Sequence, residues 1–117
     1  MKKKIAVAYA RFSSEKQREE SIMHQIEMIE KYCSDKGIEL VKHYIDEARS
    51  GTNTNRESFQ LMMMDAKHAN WDYVMVYKMD RLSRNVSDAL NTKKELNSLG
   101  IQIISVIEDF DTDTPEG

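Results

Sequence analysis

The stretch Ile5–Gln17, IAVAYARFSSEKQ, decides the fold. Its first six residues, Ile5 to Ala10, are apolar without alternation, the pattern of a strand covered on both faces and so of a central parallel strand. An arginine and two serines, Arg11, Ser13 and Ser14, follow at once. Ligands of open parallel sheets bind outside the carboxyl ends of the strands, so the polar run marks a place where chemistry is expected.

Working outward, strand and helix signals alternate. From about Glu19 to Lys36, Ile22, Ile26, Ile29 and Cys33 recur at spacings of four, three and four, one apolar helical stripe that Gly37 ends. IELVKHYI reads as a second strand and DEARSGTNTN as a polar loop of ten residues, long enough for such a link to suggest function. A helix is predicted over 56–70, with Phe59, Met62, Met63 and Ala66 on one side. DYVMVY is a third strand, KMDRLSRN a polar connection, and Val86 to Leu99 a third helix stopped by Gly100. IQIISVI is a fourth strand, and EDFDTDTPEG reads as an acidic loop. The expected fold is α/β: a mostly parallel sheet of four or five strands with helices on both faces.

The chain has 117 residues, which suits one domain. It carries 17 basic and 20 acidic side chains, a net charge of -3, which argues against affinity resting on a broad basic face. The single cysteine, Cys33, has no disulfide partner and reads as a packed thiol in a reducing cytoplasm. No apolar run approaches the ~20 residues needed to cross a bilayer, and no export signal is evident. Arginines number only six, and four of them, Arg11, Arg56, Arg81 and Arg84, fall beside or within the polar segments that follow strands.

Three such segments, RFSSEKQ, DEARSGTNTNR and KMDRLSR, should converge at one edge. They bring together Arg11, Ser13, Ser14, Asp46, Ser50, Arg56, Asp80, Arg81 and Arg84. Guanidiniums are forked donors that match phosphate oxygens and stay charged near neutral pH. Several of them around one hydroxyl suit attack on phosphorus, each fixed donor contributing on the order of 10²-fold to 10³-fold in rate by analogy with oxyanion-hole deletions. No metal-binding motif or cofactor signature is present, so neither metal nor cofactor is expected. If the chain stays extended past Ala10, period two puts Tyr9, Arg11 and Ser13 on one face, which favours Ser13 over Ser14 as nucleophile.

YARFSSEKQ, DEARSGTNTNRESFQ, YKMDRLSRN and DTDTPEG, in that order, resemble the successive motifs of the serine recombinase family, the resolvases, invertases and serine integrases. The resemblance runs from Ile5 to Gly117. The second and fourth segments look more like the large serine recombinases of phages and mobile elements than like small resolvases.

This resemblance implies site-specific DNA recombination by metal-free transesterification. Ser13 would attack a DNA phosphodiester, form a 5′-phosphoserine link and free a 3′-hydroxyl. Arg11 would contact the scissile phosphate and Gln25 would support that pocket by hydrogen bonding. Arg56 matches the arginine that opens the second helix, and Tyr9 is placed with it and Gln25 among the substrate-binding residues. Arg81 and Arg84 match the arginine pair of the third motif; which of them protonates the leaving oxygen is open, as is whether Asp80 accepts a proton or orients the arginines. The implied partners are double-stranded DNA sites and further copies of the chain, as a dimer assembling to a tetramer. The 117 residues would form the catalytic domain alone, without the long dimerisation helix and the DNA-binding region that follow in the family.

Plainer readings stand beside these. Asp80 and Arg81 suit a surface ion pair, Gln25 a solvated helix position, Tyr9 a packed aromatic, and Lys78 an ordinary surface lysine. His24, His43 and His68 lack ligand spacing. A receiver-like signalling domain shares the alternating pattern but needs acidic residues at the first strand end, where this chain has ARFSS. A non-catalytic module that binds DNA phosphates would keep the arginines without needing Ser13.

Overall fold

The structure is a computed structural model and describes residues 3–13, 21–48, 57–82, 86–107 and 110–111. In chain order the elements are β1 (Lys4–Ser13), α1 (Ile22–Lys36), β2 (Ile38–Ala48), α2 (Glu57–Ala66), β3 (Tyr73–Val76), α3 (Met79–Leu82), α4 (Val86–Ser98), β4 (Gln102–Ser105) and β5 (Phe110–Asp111). The sheet order is β2-β1-β3-β4-β5. The first four strands are parallel and β5 is antiparallel to β4, so the expected mostly parallel α/β sheet is the one observed.

The chain steps from β1 to β2 in one direction along the sheet and from β2 to β3 in the other. Crossovers share one hand, so the two connecting helices must fall on opposite faces. They do. On one face α1 packs Ile29 and Cys33 against Ala6, Ala8, Met75 and Ile104. On the other, Met62 and Ala66 of α2, Leu82 of α3 and Leu96 of α4 close over Val7, Tyr9, Val74, Val76 and Ile103. Successive residues of β1 thus serve alternate cores, which is why Ile5–Ala10 carries no polar position.

β2 departs from simple alternation. Ile38 and Leu40 pack on the α1 side, whereas Tyr44 belongs to the α2 side, although all three have the same parity. The reason is a register shift: Ala6 pairs with Leu40 but Val7 pairs with Lys42, so Val41 is an extra residue. This inserted residue turns the rest of β2 over. Tyr44 and Asp46 then look toward α2, while His43 looks toward α1, where its ring nitrogen lies 3.5 Å from Glu30.

The helix boundaries follow their caps. α1 starts later than the expected Glu19: Ser21 accepts the His24 N–H at 3.1 Å as N-cap, and Gly37, at φ 71°, ends the helix. α2 stops at Ala66, short of residue 70, because tight bonds from the N–H groups of Lys67, His68 and Ala69 to carbonyls three residues back take over. Three expected loops contain regular structure. β2 continues to Ala48; KMDRLSRN begins with α3, whose Met79 and Leu82 form an apolar pair at i, i+3 on the core; and the acidic end contains β5. Among the described residues, no helix is long and apolar enough to cross a membrane.

Candidate active site

The reversal of chain direction occurs between β1 and β3, which makes their carboxyl ends the topological switch point where open sheets bind ligands. The two strands part there. β3 pairs with β1 only as far as Tyr9↔Val76, while β1 and β2 remain paired to Ser13↔Ala48. Beyond Tyr9, β1 has therefore lost the neighbour on its β3 side, and a parallel strand end in that position exposes an unpaired N–H and C=O.

Gln25 takes the place of the missing strand. Its Nε2 donates to the Arg11 carbonyl at 3.0 Å, and the Arg11 N–H donates to its Oε1 at 3.3 Å. The side-chain amide thus acts as one further rung of the ladder. Gln25 is fully buried, which excludes the solvated alternative. Arg11 itself is half-buried, and alternation along β1 sets it on the same face as Tyr9.

Tyr9 has no solvent-accessible surface. Its ring meets Phe59 edge to face at 5.6 Å, and its hydroxyl donates to Asp46 Oδ2 at 2.7 Å. The Asp46 carboxylate also accepts the N–H of Ser58 on Oδ1 at 2.9 Å and the N–H of Phe59 on Oδ2 at 3.0 Å. The Ser58 hydroxyl donates to the Ile45 carbonyl at 2.6 Å. The first turn of α2 is tied in this way to β1 and β2. The sequence placed Asp46 in this region but in a loop, without a partner, because its partners are 12, 13 and 37 residues away. The only local sign was a carboxylate at the end of a strand pattern.

Ser13 is the last residue of β1, which remains a strand beyond Ala10 as the choice of Ser13 over Ser14 required. Asp80 and Arg81 are the second and third residues of α3, whose start follows β3 by two residues. Just before them, Tyr77 is buried and stacks edge to face on His24 of α1 at 5.5 Å. β1, α1, β3 and α3 therefore meet at one end of the sheet. Ser14, Ser50, Arg56 and Arg84 lie outside the described residues. Cys33 is buried far along α1 from this edge, with its thiol pushed up to about 11 by burial first and the nearby Glu30 second. It is a packed thiol, as expected.

Comparison with known proteins agrees with this architecture. Residues 6–117 match the family model for the resolvase N-terminal domain. The transposon Tn3 resolvase of Escherichia coli is 30% identical over 109 residues, 93% of this chain and 54% of the resolvase. A resolvase of Clostridium perfringens is 31% identical over 114 residues, 95% of this chain and 55% of its own. The chain thus spans about half the length of the curated relatives it matches. Among solved structures, the N-terminal catalytic domain of TP901-1 integrase superposes with a TM-score of 0.83 at 34% identity, over 97% of this chain and 85% of that one. A resolvase family site-specific recombinase from Streptococcus pneumoniae gives 0.85 at 28% identity, over 96% and 78%. A fold in which β1 carries an arginine and a serine past the end of its neighbour, matched over nearly its whole length, makes this chain a member of the resolvase N-terminal domain family.

Proposed function

We propose that this domain carries the strand-transfer chemistry of site-specific DNA recombination, with Ser13 as nucleophile. The observation that supports this best is the end of β1: it stays extended through Ser13 after β3 has left it, and Gln25 fixes the Arg11 backbone two residues earlier. A strand end held in that way gives in-line attack the backbone support that it requires. Ser13 Oγ forms a bond to phosphorus, the bond from phosphorus to the 3′ oxygen breaks, and the 3′ oxygen leaves with a proton. The serine proton passes to a base. The new ester conserves the energy of the old one, so reversal rejoins strands without ATP.

Arg11, Arg81 and Arg84 hold the phosphate and its developing charge. Arg56 contributes a further guanidinium, Asp80 orients the arginines or accepts the proton, and Gln25 and Tyr9 act in support. The relatives named as resolvases and site-specific recombinases support double-stranded DNA sites as substrate. On the same resemblance the chain is the catalytic part of a protein that dimerises and pairs into a tetramer, acting on cytoplasmic DNA. The test uses a nicked DNA carrying the cognate site and mass spectrometry of the protein. An adduct on Ser13, lost in Ser13→Ala and formed in excess EDTA, is expected. An adduct on Ser14 reassigns the nucleophile, strict magnesium dependence overturns the metal-free step, and salt-sensitive binding with no adduct reduces the domain to a phosphate-binding module.

A further inference from the structure

Past the last register pair of β1 and β3, Tyr9↔Val76, the sheet divides into two wings. On one, β1 stays with β2 as far as Ser13↔Ala48. On the other, the chain leaving β3 stays with the chain leaving β4: the Val106 N–H donates to the Val76 carbonyl at 2.9 Å, and the Ile107 N–H to the Tyr77 carbonyl at 3.1 Å. The proposed chemistry draws on both wings. Arg11 and Ser13 end the first, whereas α3, which carries Asp80 and Arg81, opens just after Tyr77 and Lys78 on the second. Two adjacent residues in the first turn of α1 reach one wing each. Gln25 bonds the Arg11 backbone, and His24 sets its ring edge to face against Tyr77, with centroids 5.5 Å apart and planes at 71°. Tyr77 has the parity of Tyr73 and Met75, which pack toward α1, and it is buried. His24 is exposed, so burial of its own helix does not require the contact.

From this arrangement we infer that His24 is a positioning residue for strand transfer: with Gln25 it makes the first turn of α1 a clasp across the switch point, and its stack on Tyr77 sets the wing that leads into α3 against the wing that carries Ser13. The inference rests on the strand-transfer reading. It assigns the work to the His24 ring as a contact surface, and not to its charge. A second edge-to-face pair supplies an internal control. Tyr44 and Trp71 lie 5.9 Å apart at 61°, and Trp71 precedes β3, at the opposite end of that strand from Tyr77.

The experiment compares His24→Ala, His24→Phe, Tyr77→Leu, the His24→Ala/Tyr77→Leu double variant and Trp71→Leu with the full-length wild-type protein. The backbone N–H that the Ser21 cap holds is kept in every one. Single-turnover adduct formation at saturating nicked DNA is measured well below the lowest thermal midpoint, together with DNA affinity and the midpoint itself. Loss of alignment at a reacting centre lowers the rate by about 10-fold to 100-fold, and this is expected of His24→Ala with DNA affinity retained. His24→Phe keeps a ring without the charge and should restore the rate. Trp71→Leu should lower the midpoint but keep the wild-type rate. In the Tyr77→Leu background His24→Ala should have no further effect, because the two share one contact. A His24→Ala variant that loses only thermal midpoint makes the stack merely structural and overturns the inference, and it does so even if the Tyr77→Leu variants fail to fold. Weaker DNA binding at an unchanged saturating rate makes His24 a substrate contact and overturns it as well. So does a His24→Phe variant as slow as His24→Ala, or a Trp71→Leu variant slowed as much. A wild-type protein that forms no adduct refutes the strand-transfer reading and this inference with it; a wild-type adduct with an unaffected His24→Ala refutes the inference alone.

Discussion

Replacing Gln25 by methionine isolates the rung that completes β1. Methionine is unbranched, close to glutamine in volume and at home in a core, so no cavity term enters. What is lost includes the pair of bonds to the Arg11 backbone, at 3.0 and 3.3 Å. A buried donor or acceptor left unmade costs about 1–3 kcal/mol. Arg11 is half-buried, so water can reach part of its backbone and the lower bound applies to each group. Two groups give a loss of about 2 kcal/mol, or about 8 °C in thermal midpoint for a domain of this size. Urea denaturation should show the midpoint falling with the slope unchanged, and hydrogen exchange should show the Arg11 amide losing its protection. Gln25→Glu adds a sign test. A carboxylate keeps the acceptor but sets an anion against the Arg11 carbonyl, so the folded state favours the protonated form. That variant should be most stable in acid and lose stability as pH rises through the ordinary glutamate value of about 4.3. If Gln25→Met stays within about 0.5 kcal/mol of the wild type, below the usual net worth of a single hydrogen bond, with Arg11 still protected, the side-chain rung contributes nothing and the account is wrong.

Three further outcomes follow from the helix ends and the core. Burial and Glu30 raise the Cys33 thiol to about 11 from 9.0; between those values the unfolded chain releases the proton and the folded chain keeps it, so stability should fall with rising pH across that window. Denaturation of Cys33→Ala at pH 9 to 11 should show that slope reduced, and native Cys33 should resist alkylation until the protein unfolds. Ser21→Ala removes the hydroxyl that caps α1 and should cost about 1 kcal/mol in urea denaturation. Gly37→Ala meets no atom within 4 Å, so its cost is the left-handed backbone at φ 71° alone, about 1 kcal/mol, measurable in the same assay.

The central strand, the helix stripes and the glycine stops were legible because each is set by neighbours in sequence. Ile5–Ala10 serves two cores at once and has to be apolar throughout; Gly37 and Gly100 sit at positive φ where the helices end. α3 escaped because Asp80 and Arg81 dominate its composition, leaving Met79 and Leu82 as its apolar pair on the core. β5 is two residues long and exists through pairing with Ile104 and Ser105, which no local pattern encodes. The inversion of β2 is of the same kind: one inserted residue, Val41, changes which side chains face α2, and alternation read from IELVKHYI would have sent Tyr44 and Asp46 to the α1 side.

Gln25 shows where a sequence could have been pressed further. It lies three residues after Ile22 and four before Ile29, so helical spacing alone sets it inside the apolar stripe. A polar amide there must be buried, and a buried amide needs both a donor and an acceptor opposite it. Strand interiors have already spent theirs on neighbouring strands. A parallel strand that outruns its neighbour offers an N–H and a C=O from the same residue on the same side, which one amide can satisfy together. The expectation from α1 is therefore a strand end left open within reach of its first turns. The run ARFSS, polar where IAVAY was not, marks the strand that supplies it, and Arg11 is the residue at which the two meet.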